Sequence, residues 1–293
     1  MASKGDSPMR REIDVMVKEI KERFGIVGRE KELRMALAAK LSGRHLLLEG
    51  DVGVGKTLLA SAIAQYFGQP MYRVDGDERY TESKLVGYWD PPLVIAYGYD
   101  YEKSFIPGPL TRAMLEGGIL FINELNRLPE STQNVLLPAM DERKITIPKI
   151  GIIEAKNGFF IIATQNPREY VGVSALSEAL RDRFVWIKLD YQSEEEEREI
   201  VRLRTGCTDP TIVEIAVKIC RATREHPHIR RGASVRGAID LVSILQKFGS
   251  YETEDWINAA LMALGTKIEI DESNERSVED IISEIVVSIL ENF

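Results

Sequence analysis

The chain is short of the residues that mark several common kinds of protein. Two cysteines, Cys207 and Cys220, stand in 293 residues. They make no CxxC pair and no metal-type spacing. A disulfide scaffold and a zinc site are therefore not expected, and a reducing cytosolic setting is the simplest reading. The only histidines are His45 and the pair His226 and His228 flanking Pro227, too few for an expected imidazole metal centre. No apolar run reaches the roughly 20 residues needed to span a membrane. The opening residues 1–12, MASKGDSPMRRE, lack an apolar core, which argues against a signal peptide. They read as a short disordered lead-in. Positive charge is scarce too: 38 Lys and Arg face 46 Asp and Glu, for a net charge of −8. A general nucleic-acid surface is disfavoured on that balance. No internal repeat or low-complexity segment is evident.

What remains is an ordinary globular composition, 44% hydrophobic and 29% charged, arranged in alternating patterns. Short apolar runs occur at 45–49, 71–74, 119–122, 159–163 and 185–189, with helical patterns between them. This alternation implies an α/β fold, a parallel sheet sandwiched by helices. After Leu189 no strand signal recurs. Helical patterns follow instead, the first opening with Ser193 and Glu196 in capping-box spacing. The acidic run there reads as a helix start that favours the dipole, not as a binding patch. The chain is thus expected to divide near Asp190. Residues 1–190 form an α/β nucleotide-binding domain, and residues 191–293 a smaller all-helical lid.

The strongest motif is GDVGVGKT at 50–57: Gly50, Asp51, Val52, Gly53, Val54, Gly55, Lys56 and Thr57. It fits GxxxxGK[ST] at every fixed position. HLLLE before it reads as a strand, and LLASAIAQYFG, starting at Leu58, reads as a helix. Glycines in such a loop let backbone N–H groups converge on phosphate oxygens at a helix N-terminus. Lys56 is placed to reach the outer phosphates of ATP, and the Thr57 hydroxyl to ligate Mg²⁺. A chance glycine-rich turn is the alternative, and the strand and helix flanks weigh against it.

A second stretch, GILFINELNRLPE at 117–129, is an apolar run ending in Asn123 and Glu124. In phosphate-loop ATPases a neighbouring strand carries an acid that helps hold Mg²⁺. A following Glu can polarise the attacking water. Glu124 stands in the place of that base. Asn123 stands where an Asp is usual; its amide oxygen can accept from Mg²⁺-bound water, but without negative charge.

With these residues in view, the chain resembles an AAA+ ATPase of the MoxR family. It falls in the branch with an insert in the second helix, related to magnesium-chelatase ATPase subunits. IVGRE at 26–30 resembles the segment that holds adenine, which implicates Ile26 and Val27. IIATQNP resembles the first sensor and implies that Asn166 helps position the attacking water. SEALRDRF resembles the segment bearing the arginine finger, Arg183, with Arg181 as the other candidate. GASVRGAIDL resembles the second sensor and implies that Arg236 contacts ATP from the lid. Taken alone, Asn166 could be a turn former and either arginine a surface charge; their order after the phosphate loop makes them mutually supporting.

The resemblance also implies a helix-2 insert at about 88–108, moving with nucleotide state and touching clients. The alternative is a loop that tucks its own aromatics against the sheet. It further implies a hairpin at about 144–158 before the sensor strand. The working form implied is a homo-oligomeric ring, a hexamer. It would use ATP and Mg²⁺ to remodel, assemble or activate a partner protein complex, often with a von Willebrand factor A domain protein. A chelatase-like motor subunit for metal or cofactor insertion is a second reading. A weakly hydrolysing ATP switch, motivated by Asn123, is a third.

Overall fold

In the computed structural model, which describes residues 8–166, 176–271 and 276–293, the five apolar runs pair as parallel strands. They are β1 (His45–Glu49), β2 (Met71–Asp75), β3 (Ile119–Asn123), β4 (Phe160–Gln165) and β5 (Phe184–Lys188), in spatial order β2-β3-β4-β1-β5. Each pair is parallel. The interior strands are near-continuous apolar runs because helices cover both faces of such a sheet. Leu46, Leu48, Leu120, Phe121, Ile122 and Ile161 are all fully buried. Parallel strands bring all five C-terminal tips to one edge, where ligands bind in open α/β sheets.

Four longer helices accompany the sheet: α1 (Pro8–Phe24), α2 (Glu30–Leu41), α3 (Lys56–Tyr66) and α4 (Pro109–Glu116). The helix α1 corrects the expectation of a disordered lead-in. Pro8 opens the helix at a position where its missing N–H costs nothing. Ile13, Val17 and Ile20 then form a buried stripe at helical spacing. Residues 1–7 lie outside the described residues.

Between β2 and β3 the chain makes a small antiparallel pair, Gly87–Trp89 with Phe105–Pro107, enclosing two short helices, Pro91–Tyr97 and Tyr101–Ser104. Trp89 and Phe105 meet edge-on inside it at 5.4 Å, while Ile95, Tyr97 and Tyr99 stay exposed. The segment at 130–141 forms two short helices, Glu130–Asn134 and Leu136–Asp141, meeting at Val135. A hairpin of Lys144–Ile147 and Gly151–Glu154 precedes β4.

Contacts divide the chain at Leu189/Asp190, with Val52–Val54 grouped with the later residues. The later unit contains α5 (Glu194–Thr205), α6 (Pro210–Glu225), α7 (Val235–Phe248), α8 (Thr253–Leu264) and α9 (Val278–Leu290). Its core joins Val213, Ile219, Leu241, Trp256 and Ile282. The capping box of Ser193 and Glu196 starts α5 as the spacing predicts. One correction applies: Ile229–Arg231 pairs antiparallel with Glu269–Ile270, strands of three and two residues, too short to leave a periodic signal.

Candidate active site

β1 ends at Glu49 and the chain turns through the glycine-rich loop into α3. Gly53 (φ +85°) and Gly55 (φ +98°) occupy the left-handed region, open to glycine at no steric cost. Gly55 is the N-cap of α3, so no side chain caps the first turn. The helix dipole favours an anion at that first turn. Lys56 Nζ donates to the carbonyls of Gly50 (2.5 Å) and Asp51 (2.8 Å). The lysine is thus folded back over the loop whose phosphate it is expected to meet. Thr57 and Leu58 follow in the first turn, half-buried and exposed respectively. Ile26 is buried just after α1, its N–H on Lys21 O at 3.1 Å, and Val27 is half-buried beside it.

The tips of β2, β3 and β4 converge. Register sets Asp75 opposite Asn123. Asn123 Nδ2 donates to Asp75 Oδ1 (3.1 Å), and the Thr164 hydroxyl donates to Asn123 Oδ1 (3.1 Å). The same Thr164 oxygen accepts the Glu124 backbone N–H at 2.9 Å. Glu124 itself has φ +57° and ψ +55°, a conformation costly for a non-glycine residue and held by its surroundings. Gly76 permits the approach. A Cβ there would lie 2.0 Å from the Glu124 carbonyl oxygen, and Gly76 N–H donates to Asn123 O at 2.7 Å.

Two arginines complete the group. Arg127 Nη1 donates to Glu124 Oε2 at 2.9 Å. Arg73 grips Asp75 with Nε (2.9 Å) and Nη2 (2.6 Å). The Arg73 hydrogen bonds hold the Asp75 carboxyl below the usual carboxylate range, aided by Asn123 and opposed by desolvation. Asp75 therefore stays ionised at neutral pH. Asn126, two residues past Glu124, is buried with Oδ1 unpartnered.

The remaining expected residues lie on other elements, and of these Arg236 comes back to the phosphate loop: its Cδ would lie 3.9 Å from a Cβ on Gly53. Asn166 is buried directly after β4; the nine residues that follow it lie outside the described residues. Arg183 sits just before β5 and is bound to Asp141 and to Ala179 O, whereas Arg181 is exposed at the end of a short helix. Arg236 lies in the first turn of α7 in the later unit. His226 and His228 lie 5.6 Å apart, ring to ring. Among the described residues no group of three or more His, Cys, Asp or Glu could hold a metal ion alone. Sequence reasoning missed Asp75, Thr164, Arg127 and Asp141. Asp75 and Thr164 each close an apolar strand run, the only signal they carry; the two partners of Glu124 and Arg183 carry none.

A loop feeding an uncapped helix, on a five-strand sheet of this order and beside a polar tip on β3, is the arrangement of an AAA+ phosphate-loop protein. The family profile described as AAA domain (dynein-related subfamily) matches residues 45–184. The chain is 30% identical over 259 residues to YeaC of Bacillus subtilis, covering 79% of this chain and 78% of YeaC. It is 32% identical over 219 residues to the gas vesicle ATPase GvpN of Haloferax mediterranei, covering 69% of this chain and 63% of GvpN. The crystal structure of a candidate ATPase from Cytophaga hutchinsonii shares the fold. Its TM-score is 0.54 at 24% identity, over 94% of this chain and 95% of that one. The chain belongs to the AAA+ family, with an AAA domain of the dynein-related subfamily.

Proposed function

We propose that the protein hydrolyses ATP and couples ATP binding and hydrolysis to remodelling, assembly or activation of a partner protein complex. The observation that carries this reading is that one sheet carries both the glycine-hinged N-terminus of α3, with no side-chain cap, after β1 and Glu124 directly after β3. Similarity to a protein named as a gas vesicle ATPase supports the chemistry. Residues 1–190 act as the nucleotide-binding domain and residues 191–293 as the lid. Residues 50–58 cradle the phosphates, and Ile26 and Val27 meet the adenine. Glu124 orients a water for attack on the γ-phosphorus, with Asn166 helping to place it. The bond to the β–γ bridging oxygen breaks, releasing ADP and phosphate. Arg236 contacts the nucleotide, and Arg183 serves the next subunit of a ring, a hexamer.

Mg²⁺ fits the donor set. Thr57 offers a hydroxyl and Asn123 an amide oxygen, all hard donors, and Mg²⁺ is usually held by one or two protein oxygens with phosphates and waters. When bound, Mg²⁺ neutralises charge on the transferring phosphoryl group. No helix among the described residues is long and apolar enough to cross a membrane. The reading is of a cytoplasmic machine whose partner carries a von Willebrand factor A domain. One observation favours the switch-like alternative: Glu124 is engaged by Arg127, which would slow turnover until the pair opens.

The test is paired. Lys56→Ala should lose ATP binding, because the charge facing the phosphates is gone. Glu124→Gln should keep ATP binding and lose turnover by about 10²-fold or more, the worth of a general base. Near-wild-type hydrolysis by Glu124→Gln would remove Glu124 from this role.

A further inference from the structure

The acid expected at the tip of β3 is absent, and a carboxylate stands one strand away, bonded to its replacement. Asp75 and Asn123 are register partners at the ends of β2 and β3, so their side chains share one face of the sheet. The Asn123 amide is fixed at both ends. Thr164, fully buried, donates to its oxygen, and its nitrogen donates to Asp75. This orientation has a consequence for the oxygen. An amide oxygen has two lone pairs, and Thr164 takes one. An N–H drawn to an anion polarises its own amide, so the oxygen at the other end gains negative charge. Arg73 fixes the same carboxylate, with Nη2 on the Oδ1 that accepts Asn123 and Nε on Oδ2.

We infer that Asp75 is a positioning residue for Mg²⁺: acting through the Asn123 amide, it supplies the negative charge that an acid at position 123 would supply directly. The charge of the usual acid has in effect moved from β3 to β2, with the acceptor oxygen left in place. The inference rests on the ATP-and-Mg²⁺ reading above and adds to it a residue outside every motif of the sequence. Partners that act behind a metal-facing group commonly change metal affinity by about 10–100-fold. Asp75 is exposed and shared with Arg73, so solvent screening places its effect lower, at about three- to tenfold.

The experiment titrates MgCl₂ into the full chain with the fluorescent nucleotide mant-ADP and reads binding, with no turnover required. Four proteins are compared: wild type, Asp75→Asn, the exchange Asp75→Asn/Asn123→Asp, and Lys56→Ala as the binding-deficient control. Asp75→Asn should bind mant-ADP normally in EDTA yet need about three- to tenfold more Mg²⁺ for half-maximal tightening. The exchange variant, with its carboxylate returned to the tip of β3, should recover at least the wild-type requirement. A shift of less than twofold in Asp75→Asn overturns the inference. So does an exchange variant that stays as impaired as Asp75→Asn, or an equal loss of binding in EDTA. If the wild type shows no Mg²⁺-dependent tightening, the ATP-and-Mg²⁺ reading itself fails, an outcome distinct from these.

Discussion

Arg183 is bound by Asp141 of its own chain, through Nε at 2.7 Å and Nη2 at 2.5 Å, with Nη1 on Ala179 O. The arginine expected to act on a neighbouring subunit's nucleotide is thus satisfied within one chain. The hydrogen bonds it donates to Asp141 push the Arg183 guanidinium still higher in basicity, so its charge is never in question. On the proposed reading of a ring, assembly would exchange this carboxylate for phosphate oxygens. An ion pair this open to solvent is weak, and the exchange is correspondingly easy.

Arg183→Ala should therefore keep ATP binding and lose turnover by about 10³-fold or more, as for trans-acting arginines elsewhere. Asp141→Asn, which frees the guanidinium, should leave turnover at or above wild type. Mixing Arg183→Ala with Lys56→Ala should restore part of the activity. At a mixed interface an intact phosphate loop from one meets an intact arginine from the other. Verified mixed rings with no rescue would count against action in trans.

The parts of this molecule legible in its sequence are those written in consecutive residues. The five strands of the sheet are apolar runs, each ending within two residues of its expected limits. The phosphate loop is a single octapeptide. The parts that escaped depend on register. Nothing near Asp75 in the chain says that it will face Asn123, 48 residues later; that follows only once β2 and β3 pair in parallel. Thr164 reaches Asn123 and Glu124 for the same reason, from β4. The helix α1 escaped because a charged, Met-opened stretch hid a stripe only three residues long, Ile13, Val17 and Ile20.

Glu197 shows how a charge run can conceal a core residue. The stretch Glu194 to Glu197 reads as a helix start that favours the dipole, and Glu194 and Glu196 do serve the first turn of α5. Glu197, however, is turned inward, its side chain 2% exposed, between Arg224 Nη1 (2.8 Å) and Arg221 Nη1 (3.2 Å). Arg224 in turn donates Nε to Ala233 O at 2.7 Å and lies over the Tyr191 ring at 4.1 Å. Its Nη2 is buried with no partner, so the network is already short of acceptors. Removing one member of a buried pair leaves an uncompensated charge. Glu197→Ala should destabilise the later unit by about 3–5 kcal/mol, measured by urea unfolding of the full chain. Glu195→Ala, an outward neighbour, should stay within about 0.5 kcal/mol of wild type. Equal effects from the two would mean that the run is solvated throughout.

His45 makes the stability of the first unit depend on pH in a window set by its burial. The residue opens β1 and is 5% exposed, with its ring near those of Phe159 and Phe160. Its Nδ1 accepts the Ile161 N–H of β4 at 3.0 Å, so in the fold that nitrogen carries no proton and the imidazole is neutral. Burial pulls its pKa from 6.5 down to about 4, Arg143 adding to the shift and Asp141 opposing it. The unfolded chain therefore binds a proton below pH 6.5 that the folded chain refuses until about pH 4. Stability rises with pH wherever the unfolded state holds more protons. The His45 contribution is complete above pH 6.5 and is lost progressively as pH falls toward 4. A shift of this size corresponds to about 3 kcal/mol over the whole window. His45→Gln can still accept the Ile161 N–H through its amide oxygen but cannot titrate. Urea midpoints of wild type should fall between pH 7 and 4.5, and those of His45→Gln should fall much less. Parallel pH profiles for the two proteins would show that another group sets the slope.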